Sequence, residues 1–175
     1  MSRNLRGCAE NTGEFSMTVS IEEKLQRLQD IQDIKDLRSR YAYGANIIDS
    51  TPGDLKAFAA LFAHDGKFDV GMGVATGPAE IEQMMSGITT QWKCAMHYML
   101  NPVIDLDGDR GRGTYTGLFA FVSEDNPGPI WLSNIYHDTY VRTKEGWRFQ
   151  SVSIRTAFAD PAFLAGYADK LLVEG

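Results

Sequence analysis

Apolar residues recur at three- and four-residue spacing from Ile21 through Leu25, Leu28, Ile31, Ile34, Leu37 and Tyr41 to Ala45, the mark of a helix with one buried face. Ser20 and Glu23 stand where a capping box would satisfy the first amides of that helix. Gly44 and the Ser50-Thr51-Pro52-Gly53 cluster end it. Thr51-Pro52 then predicts the cap and first residue of a second helix, with Leu55, Phe58, Leu61 and Phe62 inside. His64-Asp65-Gly66 breaks this helix, residues 67–70 read as a short strand, and residues 71–77 as a flexible crossing. Pro78 opens a third helix on Ile81, Met84 and Met85.

After the third helix the pattern changes to strands over residues 93–106, 110–122, 130–143 and 147–156. Asp107-Gly108, the loop of residues 123–129, and Lys144-Glu145-Gly146 separate them at lengths that join antiparallel neighbours. Helices first and strands later predict an α+β fold, three N-terminal helices packed on a strongly curved antiparallel sheet. Residues 1–19 are polar and aperiodic and read as a flexible lead, with Met17 as an alternative start. Residues 20–160 form the domain. Residues 161–175 place Phe163, Leu164, Tyr167, Leu171 and Leu172 at helical spacing, which suits a pocket lid or an oligomer contact.

At 175 residues the chain fits one domain with a core large enough to do without metals or disulfides. Cys8 and Cys94 lie far apart with no CxxC pair, which disfavours a disulfide framework or a zinc site and points to a reducing, cytoplasmic setting. No stretch approaches the about 18 apolar residues of a membrane helix. A formal charge of −6 with no basic block disfavours nucleic acid. The glycine-rich residues 71–77 carry no Lys-Ser or Lys-Thr for a phosphate cradle, and no nucleophile elbow occurs. The three histidines are scattered without companion ligands, so neither a metal nor another cofactor is expected.

The chemistry concentrates in the strand around His97. Alternation puts Ala95, His97 and Met99 on one face, with the imidazole as the one titratable group among apolar neighbours. Phe119 belongs to the next strand. On the third strand Asn134 and Tyr136 lie on the face opposite Trp131 and His137, so one of these pairs would line an enclosed space and the other would not.

The segments LRSRYAYGANIID, LFAHDGKFDV, AMHYMLNPVIDLDGD and YHDTYVRTKEGWRFQSVSIR resemble the NTF2-like, cystatin-like superfamily. Within it they are similar to the SnoaL-like branch that includes scytalone dehydratase, bile-acid 7α-dehydratase and hexachlorocyclohexane dehydrochlorinase. The resemblance implies a cone whose sheet wraps a deep apolar pocket, and association into dimers or trimers. It implies a strand His, here His97, working as general base beside an acid near the end of the first helix. That acid's position is taken by Asn46, which can orient an imidazole but carries no charge to stabilise imidazolium. Asp49, three residues on, either supplies the carboxylate or is a turn acid. Tyr41 matches a catalytic donor position and falls equally on the apolar stripe of the helix. His137, Trp131, Arg155, Met99 and Phe119 are candidates for substrate contact. Two functions follow: a cofactor-independent lyase or isomerase acting next to a carbonyl of a small hydrophobic cyclic substrate, or a binding or assembly module that kept the cone and lost the chemistry.

Overall fold

Ser20 and Glu23 do close a capping box, each accepting the other's backbone amide, and α1 (Ile21–Ala45) starts there. The computed structural model describes residues 19–71, 73–124 and 128–161; the expected lead and nearly all of the C-terminal segment lie outside them. Ile21, Leu25 and Leu28 are exposed, contrary to the continuous buried stripe expected from their spacing. The buried face begins at Asp30 and runs through Ile34, Leu37, Arg38, Tyr41, Ala42 and Ala45. Asp30 sets where packing starts: it accepts hydrogen bonds from Arg142 at 2.6 Å and from the Trp147 indole at 3.2 Å, and the Arg142 guanidinium stacks on that indole. The Arg-Thr-x-x-Gly-Trp segment is thus a clamp on the helix.

After α1 the chain departs from expectation. Thr51-Pro52 does not begin a helix; it is β2 (Thr51–Pro52), hairpinned to β1 (Ile47–Ile48) through Asp49 and Ser50, both at positive φ. Pro52 is tolerated because β2 is the edge of the sheet, where no ladder amide is missed. Asp54 caps the short α2 (Leu55–Ala59) instead, its carboxylate accepting from the Ala57 amide. Phe62, assigned above to that helix, opens β3 (Phe62–Asp69), which is followed by β4 (Val74–Thr76) and α3 (Gly77–Thr89).

The four long strands are β5 (Cys94–Asp107), β6 (Arg110–Val122), β7 (Ile130–Thr143) and β8 (Gly146–Ala159). They form an antiparallel meander inside one sheet of order β2-β1-β5-β6-β7-β8-β3-β4. The sheet departs from purely antiparallel pairing where β3 runs parallel to β8. Its inner face and the three helices enclose a core rich in aromatic rings, among them Tyr41, Phe58, Phe62, Phe68, Phe119, Tyr136, Tyr140 and Phe149. Gly117 makes this density possible. A Cβ there would fall 2.5 Å from the Phe119 ring and 2.7 Å from the Tyr136 ring.

Candidate functional site

A cavity of about 120 Å³ opens between α1, α3 and the inner face of β5 to β8. Most of its wall is apolar, including Ile47, Phe68, Met85, Trp92, Phe121 and Ile154. Its polar wall groups include Tyr41, His97, Asn134 and Tyr136, and no acidic or basic residue other than His97 lines it among the described residues.

His97 reaches the cavity because β5 alternates with its odd residues inward, and the Phe119 ring stands edge-on 4.9 Å from the imidazole. Asn46, at the C-terminal cap of α1, accepts the His97 backbone amide on Oδ1 at 2.8 Å. A backbone N–H can only donate, so that contact identifies the atom as oxygen rather than the amide nitrogen. The same Oδ1 lies 3.2 Å from the imidazole Nδ1. Nδ1 must therefore carry the proton, which leaves the Nε2 lone pair free. Asn46 thus orients the ring and sets its tautomer without charge. Burial, reinforced by the positive field of Arg38, lowers the His97 pKa from 6.5 to about 4. The imidazole is neutral at physiological pH.

Arg38 itself is an unexpected member of the site. It sits on the buried face of α1 one turn before Tyr41, with Nη2 donating to both carboxylate oxygens of Asp138 at 2.6 and 2.5 Å. Asp138 also accepts the Tyr140 hydroxyl at 2.7 Å. Arg38 and Asp138 are 1% and 2% exposed, so this is a buried ion pair inside the cone. The guanidinium is held between the Tyr41 and Tyr136 rings, 4.3 and 4.4 Å from their centroids. Desolvation opposes the charge on Arg38, but Asp138 and the surrounding tyrosines hold it protonated. Burial pushes Asp138 up while Arg38 and Tyr140 pull it back. Burial also raises Tyr41 and Tyr136, against a downward pull from Arg38, so both phenols keep their protons as donors. Asp138 shares the inward face of β7 with Asn134, Tyr136 and Tyr140, and alternation alone does not mark it as the partner of Arg38.

Of the residues singled out from the sequence, Tyr41, His97 and Phe119 line the cavity, and Asn46 contacts His97 from its edge. Met99 packs against the core next to it without lining it. Asp49 is exposed in the β1–β2 turn, and the contact at His97 Nδ1 is made by Asn46. Trp131, His137 and Arg155 stand exposed on the outer side of the sheet. β7 turns its even residues inward, so Asn134 and Tyr136 take the wall and Trp131 and His137 are displaced from it. A register irregularity in the β7–β8 ladder sets Thr156 opposite Asn134, and Ile154 and Thr156 line the cavity in place of Arg155. Among the described residues no three His, Cys, Asp or Glu side chains are grouped to hold a metal ion.

The profile of the SnoaL-like domain matches residues 26–153. The chain belongs to the SnoaL-like family. Its structural relatives include hexachlorocyclohexane dehydrochlorinase LinA-type3 from Novosphingobium barchaimii LL02, 22% identical, with a TM-score of 0.70 over 79% of this chain and 93% of that one. A candidate scytalone dehydratase from Novosphingobium aromaticivorans DSM 12444 is 22% identical, with a TM-score of 0.68 over 78% of this chain and 89% of that one. An NTF2-like protein with a cystatin-like fold from Novosphingobium aromaticivorans is 22% identical, with a TM-score of 0.63 over 83% of this chain and 96% of that one. At these identities the likeness establishes the fold, and this SnoaL-like chain has the cystatin-like α+β cone. Among curated proteins no sequence match was found. No helix of the described residues is long and apolar enough to cross a membrane.

Proposed function

We propose that this SnoaL-like protein is a cofactor-independent carbon–oxygen lyase or isomerase that removes a proton next to a carbonyl of a small hydrophobic cyclic substrate. The observation that carries this is a neutral imidazole of defined tautomer, its Nε2 lone pair free, in the same apolar cavity as a protonated phenol. His97 Nε2 takes the proton from carbon, and the electrons of that bond move into the carbonyl to give an enolate whose oxygen is held by the Tyr41 hydroxyl. The enolate then reforms its carbonyl as the bond to the neighbouring hydroxyl breaks, and the imidazolium returns its proton to the departing oxygen as water. In the isomerase variant the proton returns to a different carbon. At about 120 Å³ the cavity is somewhat smaller than the apolar cavity of about 150 Å³ that takes up benzene, which limits the substrate to about one ring. The named relatives, a dehydrochlorinase and a candidate dehydratase, both carry names of eliminations.

The test is turnover of a panel of cyclic β-hydroxy ketones by the wild type, His97→Ala and Tyr41→Phe. Turnover that falls by orders of magnitude with His97→Ala and by a factor of about 10² with Tyr41→Phe is expected. Turnover untouched by His97→Ala would refute the assignment.

A second reading, a binding module without chemistry, draws on Asn46: with no carboxylate on Nδ1, nothing adjacent stabilises an imidazolium. Tight ligand binding with no turnover across the panel decides for it. Self-association belongs to either reading. Tyr98, Leu100, Trp131 and Phe158 remain more than 40% exposed on the outer side of the long strands, a surface suited to another copy in a dimer or trimer.

A further inference from the structure

Asp138 and Arg38 do not face the cavity equally. The guanidinium stands nearest to Tyr41 and Tyr136, whose rings line the cavity, and farther from Phe149 and Tyr115, which do not, at 5.0 and 5.2 Å, whereas the carboxylate is tied to Tyr140, which does not line it either. The pair is therefore a fixed dipole with its positive end toward the ligand space. The hydrogen bonding of the guanidinium is also incomplete. Asp138 engages Nη2, while Nε and Nη1 are buried and have no hydrogen-bond partner. Buried donors without partners are rare and call for a reason, and a guanidinium with two bare N–H groups is a standing electrostatic source. Nothing acidic lines the cavity among the described residues to cancel it.

We infer that the Arg38–Asp138 pair is a positioning device that makes the Tyr41–Tyr136 wall a site for an anionic ligand oxygen, that of a phenolate or an enolate. Arg38 acts through the two phenols and touches no substrate. Its charge favours O–H donation to a negative oxygen over donation to a neutral one, because the low-dielectric wall transmits the field with little screening. Burial keeps the two phenols protonated, so they meet the anion as donors and do not repel it. The ligand class this selects is a ring bearing an acidic oxygen, either a phenol or a cyclic ketone that enolises. This deepens the proposed lyase reading and rests on it for the enolate; the phenolate arm stands independently as a binding property.

The experiment is equilibrium titration of 4-nitrophenol into the full chain at pH values on either side of its ionisation, with the ionised fraction of bound ligand read from the phenolate absorbance. The anion is expected to bind about tenfold or more tightly than the neutral form, seen as a drop of about one unit in the pKa of the bound phenol. Equal or tighter binding of the neutral phenol, or no binding at millimolar concentration, overturns the inference. The double variant Arg38→Met/Asp138→Leu removes the pair without leaving a lone buried charge, and it is expected to fold and to lose the anion preference. Retention of the preference by the folded double variant also overturns the inference. Should that variant fail to fold, Tyr41→Phe and Tyr136→Phe decide, each expected to reduce the preference several-fold. Binding needs no turnover, so anion preference without turnover counts against the lyase alone, and turnover without anion preference counts against this inference alone.

Discussion

Replacing Asn46 by Asp puts a carboxylate where the structure has an amide oxygen 3.2 Å from His97 Nδ1. The change is nearly isosteric, and the oxygen that accepts the His97 backbone amide is retained. What changes is charge. Two unit charges about 4 Å apart interact by about 4 kcal/mol at an effective dielectric of about 20, equivalent to about three pKa units. The new carboxylate must itself be partly desolvated, and observed shifts from one opposite charge at such range run to about 1–3 units. The His97 pKa is therefore expected to rise from about 4 into the range of about 5 to 7. The assay is a pH series following the ring Cε1–H resonance of His97 by NMR in wild type and Asn46→Asp. Turnover on a responsive hydroxy ketone should show the same displacement in its acid limb. A His97 pKa that moves by less than about half a unit would refute the premise that Asn46 Oδ1 is the electrostatic partner of the imidazole.

Four further outcomes are expected. His97 binds its proton less tightly folded, at about 4, than unfolded, at 6.5, so the unfolded chain carries more bound protons between these values. Its contribution is complete above pH 6.5 and lost as pH falls toward 4, a change of at most about 3 kcal/mol, and urea melts across this window should show a slope that His97→Gln flattens. Gly117→Ala pushes a methyl into the Phe119 and Tyr136 rings and should lose about 1–3 kcal/mol in denaturant melts, with weaker nitrophenol binding. Arg38→Met alone strands a buried Asp138 and should lose about 3–5 kcal/mol, while the double variant with Asp138→Leu recovers most of it; equal losses would show that the pair is not coupled. Trp131→Glu on the outer face should shift light scattering toward monomer without changing the His97 titration, and wild-type protein that sizes as a monomer would remove the assembly expectation.

The parts of the fold legible in sequence are those written locally. The capping box at Ser20, the period of α1 and the turns that separate the four long strands each depend on residues a few positions apart, and each was read nearly to the residue. The first turns of α1 are exposed despite their spacing, because periodicity reports which residues share a face and not how far the partner surface extends. The β1–β2 hairpin is hidden in sequence because Thr51-Pro52 satisfies two grammars, a helix start and an edge strand, and Asp54 takes the helix cap instead. Pairing of β3 with β8 joins Phe62 to Phe149, a register that no local pattern encodes. In the site, His97 and Tyr41 were visible because strand and helix periods place them inward. Trp131 and His137 lost the wall to Asn134 and Tyr136 because alternation divides the faces of β7 without saying which is inner. Asp138, on the same face as Asn134 and Tyr136, points the other way in sequence, because an acid ordinarily marks a solvent face; only its pairing with Arg38 across the core makes it an inner residue.

Asn46 and Arg38 together change what kind of chemistry the cone favours. A carboxylate on Nδ1 would stabilise the imidazolium, lowering the barrier from the base's side. With Asn46 there instead, the imidazole is oriented but left a weak base, and the field of Arg38 weakens it further. In the proposed reaction the same field acts with opposite sign on the other product of proton transfer, an enolate oxygen against Tyr41 and Tyr136. The free energy of the transfer is the sum of both, so a cation behind the phenols offsets part of what the missing carboxylate withholds from His97. Two consequences separate this arrangement from a His–Asp dyad. The acid limb of activity should lie near the low pKa of His97, leaving the rate flat through neutral pH. The rate should also depend more steeply on the acidity of the substrate's enol, because a weaker base gives a later transition state in which more of the charge has reached that oxygen. A series of cyclic hydroxy ketones graded in enol acidity, compared between wild type and Asn46→Asp, measures this directly: the slope should be shallower in the variant, and equal slopes would mean that Arg38 and Asn46 do not divide the work.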